Sequence, residues 1–478
     1  MYVMVRDATW RERVEKVVNR VYNAFPSPEF ENWELCEELI LSATTVCEQT
    51  IKFDIEIENS AWLLNQTAFY LNEKGKYSNT NHFYQKSLEI REKLLGENHI
   101  DVATCLNNLS LFYYEQGEYE QAELLRQRSL AIVEKILGKN HPNTAASLNN
   151  LALLYYAEGK YKKANQLFKK SLAIRKKTLG LDHPDVATSL NNLAALYRTQ
   201  GKYIKAEELY QEGLVIREQS LGQYHPDIGE ILNNLAELYL TQGKYEQAEL
   251  LFKRSLVINE KSLGKDHPNM SVTLSNFALL YDVQGKYDLA EPLYQKSLAI
   301  KEKILGQGHP SVTADLNNLA GLYYAQGKYE QAEILYKRSL VIKERILGEN
   351  HPSVAISLNG LAMLYDSQGK YEKAESLYQN SLVILEKALG KNHPDVAVCL
   401  NNLAEIYRVQ GTRLPISFLD LYSICYVGFS ITLILYLKNQ HITGYHRIDV
   451  EAIPCAPEQI KTLKTSKPFR NTCTSVDS

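Results

Sequence analysis

The sequence predicts an all-α fold, a right-handed α-solenoid built from repeated helix-turn-helix units. Three observations predict it. A His-Pro pair returns every 42 residues from residue 141 to residue 393, and a Gly-Lys-Tyr or Gly-Glu-Tyr triplet falls once in each period from residue 75 to residue 369. Apolar residues recur at three- and four-residue steps between these markers, as in amphipathic helices. A fixed period of this size indicates a solenoid, whose units bury their apolar faces only against their neighbours.

The unit that begins at His141 shows why the first half of each period is predicted to be a helix. Its apolar positions lie at helical spacing: Leu148, Leu151, Ala152 and Tyr155. Pro142 suits the first helical turn, where its missing N–H has no intrahelical partner to lose. Gly159 is expected to break this helix, and the histidine before each proline is expected to mark a helix start.

The second half of the same unit is predicted to be a longer helix. It opens at Tyr161, and its buried face is expected to hold Ala164, Phe168, Ser171 and Leu172. Gly180 follows Leu179 and is expected to end the helix in the left-handed conformation that glycine adopts without steric cost. No segment of the repeat array has the alternating pattern of a strand.

The composition is that of a globular protein and excludes several classes of function. The chain has 478 residues, of which 45% are hydrophobic, and its 53 Lys and Arg residues nearly balance 56 Asp and Glu residues. This balance excludes a basic nucleic-acid wrap, and the apolar content excludes a disordered chain. Seven scattered cysteines form no Cys-x-x-Cys pair, so we expect no disulfide framework. The charged start of the chain lacks the apolar core of a signal peptide, which predicts a cytoplasmic protein.

The order of bulky, small and aromatic residues in each unit resembles the tetratricopeptide repeat. The longer period and the Leu-Gly-x-x-His-Pro loop are similar to those of the kinesin light chain subclass. The resemblance covers residues 58–411, as eight repeats of 42 residues and a ninth half-repeat. It implies a non-catalytic scaffold or adaptor, in which the first helices line a concave groove that binds a peptide or protein.

Residues 1–57 lie outside the repeat pattern and are predicted to form an N-terminal helical cap. Two helices are expected, at about 7–24 and 32–52, separated by residues 25–30. This segment also resembles the one that precedes such repeats in bacterial NB-ARC-type signalling ATPases. That resemblance implies an alternative function, the ligand-sensing repeat half of such a signalling system.

The end of the chain departs from the repeat. In the segment 412–438, residues 416–437 are apolar with Asp420 as their only charge, and a helix of this length reaches about 33 Å, enough to span a bilayer. The sequence leaves open a membrane span, a capping helix on the solenoid, and a non-native reading frame. Membrane anchoring through 416–437, giving a membrane-tethered scaffold, is thus an alternative to a cytoplasmic location. The polar residues 439–478 are predicted to be disordered.

The sequence contains none of the familiar catalytic or phosphate-binding motifs. Every Gly-Lys of the repeats lacks the Ser or Thr of a P-loop, and His-Glu-x-x-His, Gly-x-Ser-x-Gly and Gly-x-Gly-x-x-Gly are absent. Eight of the eleven histidines lie on the 42-residue grid, one per loop, which favours a helix-start role over metal binding. We therefore expect no enzymatic activity, cofactor, metal or nucleic-acid partner.

An asparagine pair recurs in the first helix of the units, although asparagine is a mediocre helix former. The second members of these pairs are Asn108, Asn150, Asn192, Asn234, Asn318 and Asn402, and Asn276 holds the same place in the variant pair Ser275-Asn276. In tetratricopeptide arrays similar asparagines bond the backbone of an extended peptide, because an amide both donates and accepts hydrogen bonds. The alternative is a ladder in which asparagines of neighbouring repeats satisfy one another, and both interpretations stay open.

Specificity is expected from groove positions that vary among the repeats, close to the asparagine pairs. The candidates are Tyr114, Tyr156, Arg198, Glu237, Asp282, Tyr324 and Asp366. The early positions are apolar or aromatic and the later ones carry mixed charges, which predicts a partner segment with an apolar or aromatic anchor beside charged residues. The identity of the protein or peptide partner and the oligomeric state cannot be read from the sequence.

Overall fold

A computed structural model describes residues 2–391 and 393–410 of the chain. The expectations for 412–438 and 439–478 lie outside the described residues. Within the described range the chain forms nineteen α-helices and one short 3₁₀ helix, Phe30–Asn32, and no strand. The predicted all-α repeat solenoid is confirmed. None of the described helices is both long enough and apolar enough to cross a membrane.

The first two helices precede the repeats and pack on them. They are α1 (Tyr2–Ala24) and α2 (Trp33–Lys52), and both contact the first helix of the first repeat. The helices expected at 7–24 and 32–52 are therefore present, the first of them beginning five residues earlier than expected.

Eight helix pairs and one further helix follow. The pairs are α3 (Glu58–Glu73) and α4 (Thr80–Leu95), α5 (Ile100–Glu115) and α6 (Tyr119–Leu137), α7 (Pro142–Ala157) and α8 (Tyr161–Leu179), α9 (Pro184–Thr199) and α10 (Tyr203–Leu221), α11 (Pro226–Thr241) and α12 (Tyr245–Leu263), α13 (Pro268–Val283) and α14 (Tyr287–Leu305), α15 (Val312–Ala325) and α16 (Tyr329–Leu347), α17 (Pro352–Ser367) and α18 (Tyr371–Leu389), with α19 (Pro394–Gln410) last.

After the first repeat, a histidine is the N-cap of every first helix except α15, where His309 lies two residues before the N-cap Ser311. At His183 the backbone is extended (φ −78°, ψ 138°), and the side-chain Nδ1 accepts a hydrogen bond of 3.1 Å from the backbone N–H of Asp185. This bond satisfies one of the N–H groups that a helix start leaves without an intrahelical partner. The same bond occurs in the other copies, so the predicted helix-start role of these histidines is confirmed.

The two glycines of each unit end their helices differently. After α7, the N–H of Lys160 bonds the carbonyl of Tyr155 at 2.8 Å and the N–H of Gly159 bonds that of Tyr156 at 3.1 Å, the pattern of a Schellman cap with Gly159 at φ 71°. After α8, Gly180 has φ 92° but ψ 168°. The predicted left-handed conformation is therefore wrong at Gly180, which lies in an extended region of positive φ that is essentially restricted to glycine.

The core of the array lies between the two helices of a unit and the first helix of the next. The predicted core residues Leu148, Leu151, Ala152, Tyr155, Ala164, Phe168 and Ser171 are buried, whereas Leu172 is only half-buried. Small residues allow close helix crossings, and the buried Ser171 hydroxyl donates a 2.7 Å hydrogen bond to the carbonyl of Ala145. First helices of consecutive repeats contact one another more extensively than second helices do, so the first helices form the inner, concave side.

The superhelix winds tightly enough for successive turns to touch. His309 Nδ1 accepts the cap hydrogen bond from Ser311, so Nε2 carries the proton and donates to the carbonyl of Glu73 at 3.0 Å, across 236 residues. One repeat later, His351 Nε2 donates in the same way to the carbonyl of Glu115 at 2.9 Å.

A third copy and the N-terminal cap extend this contact. His393 lies against the turn at Ala157–Gly159, and the ring of Phe30 meets that of His267 edge-on at 4.5 Å. We call the contacts of the turns 73–75, 115–117 and 157–159 with the loops that begin at His309, His351 and His393 the inter-turn seam. The seam joins the first three repeats to the last two repeats and α19.

Candidate functional site

The asparagine pairs form a ladder along the first helices. Asn192 Nδ2 donates to Asn149 Oδ1 of the preceding repeat at 3.0 Å, and Asn234 Nδ2 donates to Asn191 Oδ1 at 2.9 Å. The same link joins Asn108 to Asn65, Asn276 to Asn233, and Asn318 to the Ser275 hydroxyl, at 3.3, 3.2 and 3.1 Å. The ladder interpretation therefore holds for these five positions.

Two positions of the row differ from the rest. The side chain of Asn150 makes no hydrogen bond to any described residue, and Asn402 is buried, with 7% of its surface exposed. In the eighth repeat Gly360 replaces the second asparagine, and a Cβ there would lie 2.4 Å from the ring of Tyr336. The aromatic ring thus fills the place that the missing side chain leaves.

The ladder leaves part of each amide free. A side-chain amide has two N–H donors and one oxygen acceptor, and the ladder uses an N–H of Asn192 and of Asn234 but not their oxygens. The oxygens of Asn192 and Asn234, both half-buried, accept no hydrogen bond from the described residues. Ladder formation and ligand contact are consequently compatible at the same residue.

The predicted aromatic groove positions are half-buried and connect neighbouring helices. Tyr114 packs on Tyr119, with 5.8 Å between ring centroids, and lies below the guanidinium of Arg126 at 5.7 Å. Tyr156 shares a 2.7 Å hydrogen bond with the Thr199 hydroxyl, and Tyr324 shares one of 2.6 Å with Ser367. The hydroxyls of Tyr156 and Tyr324 are therefore satisfied, and the Tyr114 ring is held by its contacts with Tyr119 and Arg126.

The predicted charged positions fall into two kinds. Arg198 and Glu237 form an ion pair across consecutive repeats and so neutralise each other. Asp282 and Asp366 form no ion pair with any described residue. Burial raises the pKa of Asp282 to about 6, and burial together with the nearby charge of Glu405 raises the pKa of Asp366. These two carboxylates lack a cation that would compensate them.

The structure also contains a cavity that the sequence did not predict. It measures about 510 Å³ and lies at the inter-turn seam, between the ends of α3 and α5 on one turn and the loops before α15 and α17 on the next. Among its lining residues are Asn72, Glu73, Glu115, His309, Lys343 and His351. Of the predicted groove residues only Asn318 lines it, so it borders the asparagine row.

One signal in the sequence could have indicated this cavity. The last residue of the first helix is glutamate only in the first two repeats, at Glu73 and Glu115. The equivalent residues of later repeats are Ala157, Thr199, Thr241, Val283, Ala325, Ser367 and Val409. Nothing local, however, shows that these two glutamates face another turn of the superhelix.

No group of three or more His, Cys, Asp or Glu residues in the described part of the chain is arranged to hold a metal ion. The histidines of the 42-residue grid are instead engaged through Nδ1 in capping helices.

Comparison with family models identifies the repeat. A tetratricopeptide repeat model matches residues 59–125, 107–177, 166–219, 185–261, 227–303, 312–382 and 367–411, and a second tetratricopeptide model matches residues 276–345. Together these matches cover well over half of the chain. The chain belongs to the tetratricopeptide repeat family.

Several solved structures are similar to part or most of this chain. A putative kinesin light chain with nearly identical TPR-like repeats from Podosopora anserina is 29% identical, with a TM-score of 0.37, over 43% of this chain and 97% of that one. BtubC (BKLC) from P. vanneervenii is 23% identical, with a TM-score of 0.39, over 50% and 92%. A Rap protein complexed with competence and sporulation factor is 16% identical, with a TM-score of 0.45, over 84% and 99%. No curated protein matches this chain.

Tetratricopeptide repeats stack into extended concave surfaces that bind proteins. In this tetratricopeptide chain the first helices line the concave side, and the asparagine ladder and the varied aromatic and charged positions lie on those helices. The resemblance of residues 1–57 to a segment of NB-ARC-type ATPases is not tested by the comparisons and stays a prediction.

Proposed function

We propose that the chain is a non-catalytic adaptor whose concave groove binds an extended peptide segment of a partner protein. The observation that carries this proposal is the row of amide oxygens on the first helices. Asn192 and Asn234 each donate one N–H to the preceding repeat and keep an unpaired oxygen at a half-buried position. Repeated acceptors at repeat spacing suit the N–H groups of a peptide backbone, whatever its side chains.

The varied groove positions support a partner with two kinds of side chain. The rings of Tyr114 and Tyr156 in the early repeats offer apolar surface to an aromatic or aliphatic anchor. Asp282 and Asp366 in the later repeats lack a compensating cation among the described residues and favour a basic residue in the partner. A segment with an apolar anchor and a Lys or Arg farther along would match both.

A peptide array probed with the full chain tests this function. Peptides that bind are then measured in solution against the double variant Asp282→Asn, Asp366→Asn, which removes two groove charges with little change in shape. The matched control is Asp288→Asn with Glu246→Gln, which removes two charges from exposed positions on second helices.

We expect the groove variant to lose about tenfold or more in affinity for basic peptides, since each carboxylate that contacts a cation contributes on the order of 1 kcal/mol or more. The control should bind within about twofold of the wild type. An array without any peptide above background, or equal loss in both double variants, would contradict the proposal.

A further inference from the structure

The cavity at the inter-turn seam is built from hydrogen-bond acceptors on one side. Asn72 is only 2% exposed, and its Nδ2 donates a 2.7 Å hydrogen bond to Glu115 Oε2. Its Oδ1 is buried and has no hydrogen-bond partner among the described residues. Leaving such an acceptor unpaired is costly, and native structures usually satisfy it with a ligand or water.

Two carboxylates line the same cavity as this amide without a counter-ion. Neither Glu73 nor Glu115 forms an ion pair with any residue in the described ranges. Both line the cavity, and each is close enough to the other for their charges to interact. Half-buried carboxylates that are not paired with a cation are unfavourable, so the arrangement favours a bound positive group.

We propose that this cavity binds an organic cation, a primary ammonium or a guanidinium, held by the carboxylates of Glu73 and Glu115 and the amide oxygen of Asn72. This site goes beyond the peptide groove and does not depend on it. The cationic group could belong to a free amine or to a Lys or Arg side chain of a bound peptide, and the experiment below separates these two sources.

The basic nitrogen donors of His309, His351 and Lys343 that line the cavity are already engaged, which disfavours an anion. His309 and His351 donate through Nε2 to carbonyls of the neighbouring turn. The Lys343 amine donates to the carbonyl of Ser353 at 2.8 Å and to the hydroxyl of Ser357 at 3.0 Å. The unpaired oxygen of Asn72 and the two carboxylates are acceptors, and acceptors recognise N–H donors.

The size and walls of the cavity favour an organic cation over a bare metal ion. Its volume of about 510 Å³ falls in the range of small-molecule sites. Pro310, Leu347 and Ile356 supply apolar wall, against which the methylene stem of an amine can pack.

Binding should strengthen from pH 6 to pH 8. Burial raises the pKa of Glu115 to about 7, so its deprotonation through this range creates charge that attracts the cation. Burial also raises the pKa of Glu73. Burial lowers the pKa of Lys343 to about 8, so the competing positive charge diminishes over the same range.

The other titratable groups that line the cavity do not oppose this increase in cation affinity between pH 6 and pH 8. Burial lowers the pKa of His309 to about 4 and lowers that of His351, so both rings lose rather than gain positive charge as the pH rises. Burial raises the pKa of Tyr77, which stays neutral. Titration of Glu115 alone implies affinity about tenfold higher at pH 8 than at pH 6.

Calorimetric titration of the full chain with agmatine tests the site. Agmatine carries an ammonium and a guanidinium on a short aliphatic stem and stands for a free amine. The variants are Glu115→Gln and, as an independent second, Glu73→Gln, each of which keeps the side-chain shape. Glu246→Gln removes the same charge at an exposed position on α12 and is the control. Thermal melts verify that each variant is folded, and Glu73→Gln carries the test if Glu115→Gln is not.

The peptide source is tested with peptides selected on the array, each compared with its copy in which a single Arg or Lys is replaced by Gln. If the ligand is a free amine, we expect Glu115→Gln to weaken agmatine binding by at least about tenfold. If it is a peptide side chain, Glu115→Gln should weaken binding of the basic peptide by the same factor but not binding of its Gln copy. Glu246→Gln should leave both affinities unchanged. Agmatine binding without any peptide binding would support this site and contradict the peptide groove.

Two results would overturn the cation site. In the first, peptides bind, but substitution of Glu115 or Glu73 changes the affinity of neither agmatine nor a basic peptide. The peptide groove would then be supported without the cation site. The other is an equal effect of Glu115→Gln and Glu246→Gln, which would reduce the interaction to nonspecific charge attraction.

Discussion

At the scale of single residues, the repeated asparagines show how one side chain can serve both structure and binding. Asn149 is only 5% exposed, and its oxygen depends on the Nδ2 of Asn192 in the next repeat. A substitution chosen to test ligand contact at Asn192 therefore also disturbs the array itself. For this reason the charged groove positions are better probes of binding than the ladder is.

Asn192→Ala should destabilise the chain by about 1–3 kcal/mol, because it leaves the buried oxygen of Asn149 without a donor. The loss is measured by urea unfolding followed by circular dichroism. Asn150→Ala is the matched control, since the side chain of Asn150 bonds no described residue, and it should change stability by no more than about 0.5 kcal/mol. Equal destabilisation by the two substitutions would show that the ladder does not stabilise the fold.

At the scale of helices, the histidine that starts each first helix has two different environments. In the middle of the array it only caps its helix, and His225 is 40% exposed. At the seam the same residue type also bonds another turn, and His309 and His351 are each 8% exposed. The same sequence motif thus acquires a second role from its position in the superhelix.

His309→Asn should reduce the loss of stability on acidification. Burial lowers the pKa of His309 to about 4, below the ordinary value of about 6.5, so the unfolded chain takes up the proton first. The stability that His309 contributes is complete above pH 6.5 and is lost as the pH falls towards 4. Asparagine caps a helix but does not titrate. Between pH 7 and pH 5 the free energy of unfolding of the variant should therefore fall by about 2 kcal/mol less than that of the wild type.

Urea unfolding at both pH values measures this difference. The comparison must be made between variant and wild type, because Glu115 acts in the opposite direction. Burial raises its pKa to about 7, so its contribution to stability is greatest at low pH and falls as the pH rises. That opposing change is common to both proteins and cancels. An unchanged pH dependence in His309→Asn would mean that this ring is not buried in the neutral state.

At the scale of the whole molecule, the seam can be tested with two glycines that have the same positive φ. Gly117 and Gly243 both have φ 74°. A Cβ on Gly117 would lie 3.0 Å from Pro352 Cδ and 3.1 Å from His351 Cδ2, whereas a Cβ on Gly243 would meet nothing within 4 Å.

Gly117→Ala and Gly243→Ala should share a conformational cost of about 1–2 kcal/mol. Only Gly117→Ala should separate the turns, and small-angle X-ray scattering of the full chain would record this as a larger maximum dimension. Indistinguishable scattering from the two variants would contradict inter-turn contact in solution.

The local structure could be predicted from the sequence because the residues that determine it lie within one repeat and its neighbour. The period, the helix starts at His-Pro and the buried Ala164 and Phe168 follow from spacing and steric demands within one unit and its neighbour. The seam does not, since the pitch of a superhelix depends on small rotations accumulated over many repeats. His183 and His309 stand in the same motif, so no local feature could show that only His309 meets Glu73.

The seam couples local unfolding of the first repeats to that of the last repeats. In an open solenoid, stability is a sum of nearest-neighbour terms, and a terminal repeat unravels without effect on the far end. Here the turn at Glu73 in the first repeat holds the loop before the seventh, and the turn at Glu115 in the second holds the loop before the eighth. Local unfolding of the first repeats removes partners from the last ones, so the two ends of a linear array open together.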